Sequence, residues 1–303
     1  MYRVVGIGDL VCDIYYKDGE IVGINGGKTF ANIIFNLANM NVQAKIIGTC
    51  GSDIYGKIAM ESLKIVGIDI SNVKMLNMPT NLFNVCISNK RFSTKKRCPI
   101  CNTKKWYDYT FDKIITNNDD IIVIDCLRYL SLLKDKTVLI DIGYFNELEK
   151  MNEKEFIDFL NFNFEIINMN NRVYKYLKTK LNLKNEKELF NKLNTKLLII
   201  TKGKKGTSYY FNDNHIIMDL TEISQEVDPN GAGDLFFAST IKDYLNNNLI
   251  TDEKFIKTSF ENASNLTKEI VKVIGARTYY QPLYKVRKLD VCACTNLTIS
   301  KNS

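Results

Sequence analysis

The fold is decided by one stretch of the chain, Val227-Asp228-Pro229-Asn230-Gly231-Ala232-Gly233-Asp234-Leu235-Phe236-Phe237. It places a glycine-rich turn directly before an apolar segment that we expect to be helical from Leu235 onward. The small residues 231–233 leave their backbone N–H groups accessible, and the helix dipole favours a phosphate at this end. Asp234 would then lie beside the phosphate, where a carboxylate can accept a proton from an attacking hydroxyl. A glycine turn with a capping Asp, which many folds contain, explains the same residues.

Further glycine-rich segments follow apolar runs along the rest of the chain. In order they are Gly8 to Asp13, Gly26-Gly27 with Ala31-Asn32, Ile47 to Gly56, Thr201 to Gly206, and Asp228 to Asp234. This succession resembles the ribokinase-like (PfkB) family of sugar and nucleoside kinases, and the resemblance covers about residues 1 to 280. Several motifs in the family's order are more specific than any one of them. The resemblance implies an α/β fold, a three-layer sandwich with a central, mostly parallel sheet and a small β lid.

Apolar runs and helical patterns alternate along the chain, which supports that fold class from the residues themselves. The predicted strands are Tyr2 to Ile7, Ala44 to Ile47, Ile121 to Ile124, Val138 to Ile142, Ile166 to Ile167 and Leu197 to Thr201. The predicted helices are Phe30 to Met40, Ile54 to Val66, Glu153 to Leu160, Arg172 to Leu177, Glu186 to Leu193 and Leu235 to Leu245. Repeated strand–helix units favour a parallel sheet covered by helices on both faces.

Two segments fall outside this alternation. Residues 14–24 and 82–97 contain short strands with polar turns. The resemblance implies that they form a lid, which excludes water from the reacting groups; peripheral hairpins are the alternative. We expect residues 1–281 to form the kinase domain and residues 282–303 to be an added tail.

Composition limits the classes of partner. Hydrophobic residues make up 45% of the chain and charged residues 25%, as in ordinary globular proteins. The net charge of +7 is spread over Lys-rich segments and forms no compact basic arm, which argues against nucleic acid. No apolar stretch has the length of a membrane span, and the N-terminus lacks a signal peptide. We expect a cytoplasmic protein without a membrane partner; the sequence leaves a homodimer open.

Four residues are candidates for binding a hydroxylated substrate. Ligands of open α/β sheets bind beyond the C-terminal ends of the strands, and Asp13 follows the first strand closely. The resemblance implies that Asp13 holds sugar hydroxyls, that Gly26 and Gly27 let the backbone approach the substrate, and that Asn32 adds a polar contact. A solvated turn for Asp13 and a helix cap for Asn32 stay open.

The resemblance also implies ATP and Mg²⁺ as cofactors. It makes Asp234 the general base and assigns the anion hole to the amides of Gly231, Ala232 and Gly233. Nucleotide contacts fall on the turn after a core strand and on a later helix, at Thr201, Gly203, Gly206 and Asn262. Each of these four residues also has a purely structural explanation.

One position departs from the family's pattern. The segment Asn168-Met169-Asn170-Asn171 aligns with a motif that ends in Glu and organises magnesium. An amide at 171 binds magnesium-bound water less strongly than a carboxylate does. We expect either weaker magnesium binding or a substitute acid such as Asp141 or Glu165.

Two close cysteine pairs, at Cys98 and Cys101 and at Cys292 and Cys294, are not explained by the resemblance. Four thiolates make a tetrahedral structural zinc site, which would join the tail to the segment after the lid strands. Two unrelated thiol pairs, or a redox-active CxxC, are the alternatives.

The sequence therefore predicts an ATP-dependent kinase of a small sugar or sugar derivative. A nucleoside or a phosphorylated sugar is an alternative acceptor, and Lys28 or Arg91 would favour the phosphorylated one. From another class, a catalytically weak ligand sensor or structural relative is favoured by Asn171 and the additional cysteines.

Overall fold

The computed structural model describes residues 2–88, 91–95, 114–220 and 226–277. The strands within these ranges are β1 (Arg3–Asp9), β2 (Val11–Lys17), β3 (Glu20–Gly27), β4 (Ala44–Gly51), β5 (Asp69–Leu76), β6 (Asn81–Ser88), β7 (Arg91–Lys95), β8 (Asp120–Ile124), β9 (Thr137–Ile142), β10 (Phe164–Asn170), β11 (Thr195–Thr201), β12 (Thr207–Phe211) and β13 (Asn214–Met218). The α-helices are α1 (Thr29–Asn39), α2 (Ile54–Lys64), α3 (Asn146–Lys150), α4 (Glu153–Asn161), α5 (Asn171–Lys180), α6 (Glu186–Lys192), α7 (Ala232–Asn246) and α8 (Glu253–Ile270).

Nine strands form one large sheet in the order β13-β12-β11-β10-β9-β8-β1-β4-β5. The strands from β11 to β5 pair in parallel, and β12 and β13 extend one edge in antiparallel pairing. Parallel strands are buried on both faces, which explains the continuous Val, Ile and Leu runs of β8 and β11. The central, mostly parallel sheet predicted from the sequence is confirmed.

Helices cover both faces of this sheet and complete the three layers. Apolar residues of α1, α7 and α8 pack against one face, including Phe30, Phe237 and Phe260. Those of α4, α5 and α6 pack against the other. No helix in the described part of the chain is long and apolar enough to cross a bilayer.

The second sheet has the order β3-β2-β6-β7. Its inner face packs on α2, where Cys12, Ile14 and Ile24 contact Tyr55. The separate small sheet is therefore present, and its first hairpin extends beyond the predicted residues 14–24 at both ends. Asp13 follows β1 closely, as expected, and lies within β2 of this lid.

Edge strands account for part of what the sequence did not predict. β5 and β13 lie at the two edges of the large sheet and are largely exposed, so they lack the apolar run of a core strand. Helix α8 ends at Ile270, and Gly275-Ala276 lie in the segment after it.

Candidate active site

The turn before α7 is held in place by its own carboxylate. Asp228 is fully buried, and its two oxygens accept hydrogen bonds from the N–H groups of Asn230 at 2.9 Å and Gly275 at 2.7 Å. Gly231 has a φ of +80°, and a Cβ there would lie 2.5 Å from Cα of Ala276. Glycine at 231 is therefore required by both the backbone conformation and the packing.

The N–H groups of this turn are not equivalent. Gly231 is the N-cap of α7, and Ala232 donates its N–H to the carbonyl of Pro229 at 3.2 Å. Gly233 is exposed, and no heavy atom lies within 4 Å of the place where its Cβ would be. The first N–H groups of a helix have no acceptor within it, so Gly233 has both a donor and the room for a ligand. Because the N–H group of Ala232 is already hydrogen-bonded, we no longer include Ala232 in the predicted anion hole.

Asp234 lies in the first turn of α7 and points toward α1. Its Oδ2 accepts a hydrogen bond of 2.7 Å from Nδ2 of Asn32. Removal from solvent raises the pKa of Asp234 to about 6, and the hydrogen bond from Asn32 opposes that rise. A carboxylate with this pKa is ionised at neutral pH and is a stronger base than an exposed Asp.

Asp13 approaches the same turn from the lid. Its carboxylate accepts a hydrogen bond of 3.3 Å from the Tyr15 hydroxyl, which itself accepts from Nδ2 of Asn230 and the N–H of Ala276, both at 3.3 Å. A Cβ on Gly27 would collide with the Asp13 carboxylate. Burial raises the pKa of Asp13 to about 7. The structure thus brings together Asp13, Gly27, Asn32 and Asp234, as the sequence analysis predicted.

One buried residue of this site was missed from the sequence. Arg277 is 1% exposed and donates from Nε to Oδ1 of Asn32 at 2.8 Å, from Nη1 to Ser62 at 2.6 Å and from Nη2 to the carbonyl of Gly27 at 3.1 Å. A Cβ on Gly26 would collide with Nη1 of Arg277, so Gly26 makes room for the guanidinium. In a chain with 41 Lys and Arg residues, no sequence signal marks this one as buried.

A second charged group lies between the lid and the large sheet. Nζ of Lys28 lies 3.6 Å from Oδ1 of the buried Asp125. Arg128 lies 3.7 Å from Asp9 and 3.8 Å from Glu147. Burial raises the pKa of Asp125 to about 6 and the charge of Lys28 opposes that rise. The cations of this group are therefore matched by carboxylates.

A cleft of about 610 Å³ opens at the carboxyl ends of β9, β10 and β11. Thr201 and Gly203, two of the predicted nucleotide contacts, line it. Gly206 has a φ of +79° and its Cα faces the carbonyl of Met218, so it shapes the turn into β12. Asn262 donates to Asp243 at 3.0 Å on the surface of α8 and α7 and does not line the cleft.

Oxygen atoms suited to magnesium lie in buried residues next to Gly143, a residue that lines the cleft. Oδ2 of Asp141 accepts a hydrogen bond of 2.6 Å from Nδ2 of Asn168, whose buried Oδ1 has no hydrogen-bond partner among the described residues. Oδ1 of Asp141 lies 3.7 Å from the Cβ position of Gly143, which lines the cleft. A carboxylate beside an unsatisfied amide oxygen fits a hard cation that keeps water and phosphate as its other ligands. In the described ranges no three metal-binding side chains cluster together.

The other proposed substitute acid is excluded by position. Glu165 lies near the N-terminal end of β10, where it pairs with Lys196 at 2.9 Å and accepts a hydrogen bond from Tyr244. The cleft is at the opposite end of that strand. Asn171 does line the cleft, as its place in the motif predicts.

The zinc hypothesis concerns residues outside the described ranges, because Cys98, Cys101, Cys292 and Cys294 all fall there. Of the described cysteines, Cys12, Cys50 and Cys126 are buried and Cys86 is half-buried. These four are free thiols.

Comparisons with known proteins point to one family. Residues 150–282 match the model described as "pfkB family carbohydrate kinase". An ATP-dependent 6-phosphofructokinase from Thermoanaerobacterium thermosaccharolyticum is 25% identical over 264 residues, which are 78% of this chain and 80% of the relative. The fold matches a fructokinase with bound ATP from Xylella fastidiosa, with a TM-score of 0.76, 16% identity and coverage of 91% of this chain and 94% of the other. A nucleoside kinase from Methanocaldococcus jannaschii gives a TM-score of 0.69, 17% identity and coverage of 92% and 94%. The family model thus matches the C-terminal part of the chain, and the two-sheet architecture is the fold of the ribokinase-like sugar and nucleoside kinases to which this chain is similar.

Proposed function

We propose that this protein transfers the γ-phosphoryl group of ATP to a hydroxyl of a small sugar or sugar derivative. The observation that carries the proposal is the convergence of Asp13, from the lid, and Asp234, from the start of α7, on one site. Asn32 and Tyr15 connect the two sides by hydrogen bonds.

The acceptor is held on the lid side of the site. The carboxylate of Asp13 accepts hydrogen bonds from sugar hydroxyls, and its position against the Cα of Gly27 fixes its direction. Asn32 uses one N–H on Asp234 and its carbonyl on Arg277, which leaves one N–H for the acceptor. The lid limits the access of water, which would otherwise compete for the phosphoryl group.

Asp234 then accepts the proton of the attacking hydroxyl. Its pKa of about 6 is higher than that of an exposed carboxylate, but Asp234 is still ionised at neutral pH. The N–H groups of Gly231 and Gly233, at the positive end of the α7 dipole, stabilise the charge on the transferred phosphoryl group. Loss of one such contact typically costs about 3 kcal/mol of barrier.

The nucleotide occupies the cleft beside this turn, next to Thr201 and Gly203. Asp141 and Asn168 would hold Mg²⁺, with Asn171 contacting its water shell. When bound, the cation neutralises charge on the phosphate oxygens of ATP. The cationic side chain of Arg172 also lines the cleft and favours an anionic ligand, whereas Lys202 is paired with Glu186 at 2.7 Å.

The charges near the acceptor favour an unphosphorylated sugar. A phosphate group on the acceptor sugar would need an available cation. The charge of Lys28 is neutralised by Asp125, and that of Arg128 is neutralised by Asp9 and Glu147. The side chain of Arg91, the other cation considered from the sequence, is outside the described residues. The named relatives act on different acceptors, so the local charges are the better guide.

A catalytically weak sensor is the rival that specific residues favour. Asn171 replaces a carboxylate, and Ala232 has committed its N–H to Pro229. Such a protein would bind a sugar and ATP without turnover.

An acceptor screen separates these proposals. ADP formation would be measured with ATP, Mg²⁺ and a panel of neutral sugars, their phosphates and nucleosides. We expect ADP release with a neutral sugar, at a kcat/KM at least tenfold above that of its phosphate. Preference for the phosphate would contradict the acceptor assignment. Binding by calorimetry without ADP release from any acceptor would favour the sensor.

A further inference from the structure

We infer that Arg277 is a positioning residue for Asp234 and acts through Asn32. The guanidinium fixes which end of the Asn32 amide faces the base. This inference deepens the proposed function and rests on it, since it assigns the orientation of the proposed general base to a residue outside the predicted site.

The direction of the Asn32 amide follows from hydrogen-bond chemistry. An arginine side chain has only donors, so the Asn32 atom facing Nε of Arg277 at 2.8 Å must be the carbonyl oxygen. The amide nitrogen is then directed to Oδ2 of Asp234 at 2.7 Å. Without the guanidinium, the amide could rotate and place its oxygen against the carboxylate, which would repel it.

The rest of the guanidinium is anchored on two other elements. Nη1 donates to Ser62 on α2, and Nη2 donates to the carbonyl of Gly27 at the end of β3. The planar group also lies 5.2 Å from the ring centroid of Phe35 on α1. Arg277 therefore connects the orientation of Asp234 to the lid and to helices α1 and α2.

The cost of this arrangement argues against a merely structural role. Burial of an arginine is costly, and apolar residues of similar volume are often at least as stable in its place. The loss of solvent lowers the pKa of Arg277 to about 10, opposed by Asp13 and other anionic groups. A side chain that only fills the same space needs no charge.

Single and double variants test the inference. Arg277→Met should lower kcat by roughly 10- to 100-fold, the effect of ~1 Å misplacement, with the KM for ATP changed less than threefold. Asn32→Ala should lower kcat similarly. If Arg277 acts through Asn32, adding Arg277→Met to Asn32→Ala should lower kcat by no more than about threefold further. Arg277→Lys, which keeps a charged donor, should restore part of the loss.

Arg3→Met is the matched control. Arg3 makes two hydrogen bonds of 2.8 Å to Asp120 at the N-terminal ends of β1 and β8, so its loss affects stability and leaves kcat within twofold. A kcat for Arg277→Met within twofold of the wild type overturns the inference. If Arg277→Met lowers kcat as strongly in the Asn32→Ala background as in the wild type, the inference is also overturned, because Arg277 would then act independently of Asn32.

Two further measurements apply if the Arg277→Met variant does not fold or if the wild-type protein shows no turnover. If Arg277→Met does not fold, Asn32→Asp keeps a partner for Arg277 but repels Asp234, and retained turnover in that variant overturns the inference. If the wild type phosphorylates no acceptor, the proposed function fails by itself. The inference is then judged by ¹³C NMR titration of the Asp234 carboxyl, because the charge of Arg277 also lowers the pKa of Asp234 directly. Arg277→Met should raise that pKa more in the wild type than in the Asn32→Ala background, where only the direct effect of the charge is lost. An equal rise in both backgrounds overturns the inference.

Discussion

Nδ2 of Asn32 lies 2.7 Å from Oδ2 of Asp234, although 202 positions separate the two residues in the chain. The bond joins the start of α1, directly after the lid, to the start of α7, where a phosphate is favoured. It places the proposed base between the acceptor side and the nucleotide side of the site. The predictions below depend on this arrangement.

Replacement of the proposed base should abolish turnover without unfolding the protein. We expect Asp234→Asn to lower kcat by roughly 10²- to 10⁴-fold, the usual contribution of a general base. ATP binding by calorimetry should be unchanged, because the N–H groups of the turn remain. Asp243→Asn, on an outer face of the same helix, is the matched control and should keep kcat within twofold. An active Asp234→Asn enzyme would exclude the base assignment.

Turnover should depend on pH through this carboxylate. Asp234 accepts a proton only when ionised, and its pKa is raised to about 6. We therefore expect kcat to be constant at higher pH and to fall as the pH drops through about 6. The measurement is kcat against pH at saturating substrates. An acid limb near pH 4, the range of an exposed Asp, would contradict the burial argument.

The stability of the ligand-free protein should improve when Asp13 is neutralised. Its folded-state pKa of about 7 exceeds the ordinary value of 3.8, so the folded state binds this proton more tightly than the unfolded state. Stability is therefore lost as the pH rises from about 4 to about 7. Asp13→Asn should raise the free energy of unfolding at pH 8 by up to a few kcal/mol, since one pKa unit is about 1.4 kcal/mol.

At pH 4 the same Asp13→Asn variant should gain little, because the wild-type carboxyl is already protonated in the folded state. Urea unfolding at both pH values measures the difference. Asp69→Asn supplies the opposite sign, since hydrogen bonds from Ser71 lower the pKa of Asp69 and stabilise its ionised form. An equal effect of Asp13→Asn at both pH values would mean that the gain is unrelated to ionisation.

Gly233→Ala should separate stability from activity. Alanine fits α7, since no heavy atom lies within 4 Å of the new Cβ and alanine is the better helix former by about 1 kcal/mol. The methyl group would occupy the space of the transferred phosphoryl group. We expect a slightly higher melting temperature and a kcat at least tenfold lower. Full activity would show that the phosphate lies elsewhere.

The cysteine hypothesis is tested by metal content. We propose that Cys98, Cys101, Cys292 and Cys294 bind one structural Zn²⁺ as a Cys₄ site. Elemental analysis of purified protein should then find about one zinc per chain, and Cys98→Ser should reduce it. Cys86→Ser, a described free thiol, is the control. Zinc-free protein with four freely titrating thiols would leave two unrelated pairs.

The sequence by itself determined the layered α/β architecture, and the family resemblance added the separate small sheet. The architecture follows from local information: apolar runs predict buried strands, and glycine predicts turns that no side chain permits, as at Gly231 with its φ of +80°. The sequence also identified Asp13, Asn32 and Asp234 as neighbours, because the family's motifs carry their order.

Only the tertiary structure decided which polar groups are already engaged. Arg277 bonds to Asn32 across 245 positions, Lys28 is neutralised by Asp125, and Ala232 has committed its N–H. A charge or a donor looks the same in the sequence whether it faces water or a partner. Its availability depends on burial and on residues distant in the chain, which local patterns do not encode.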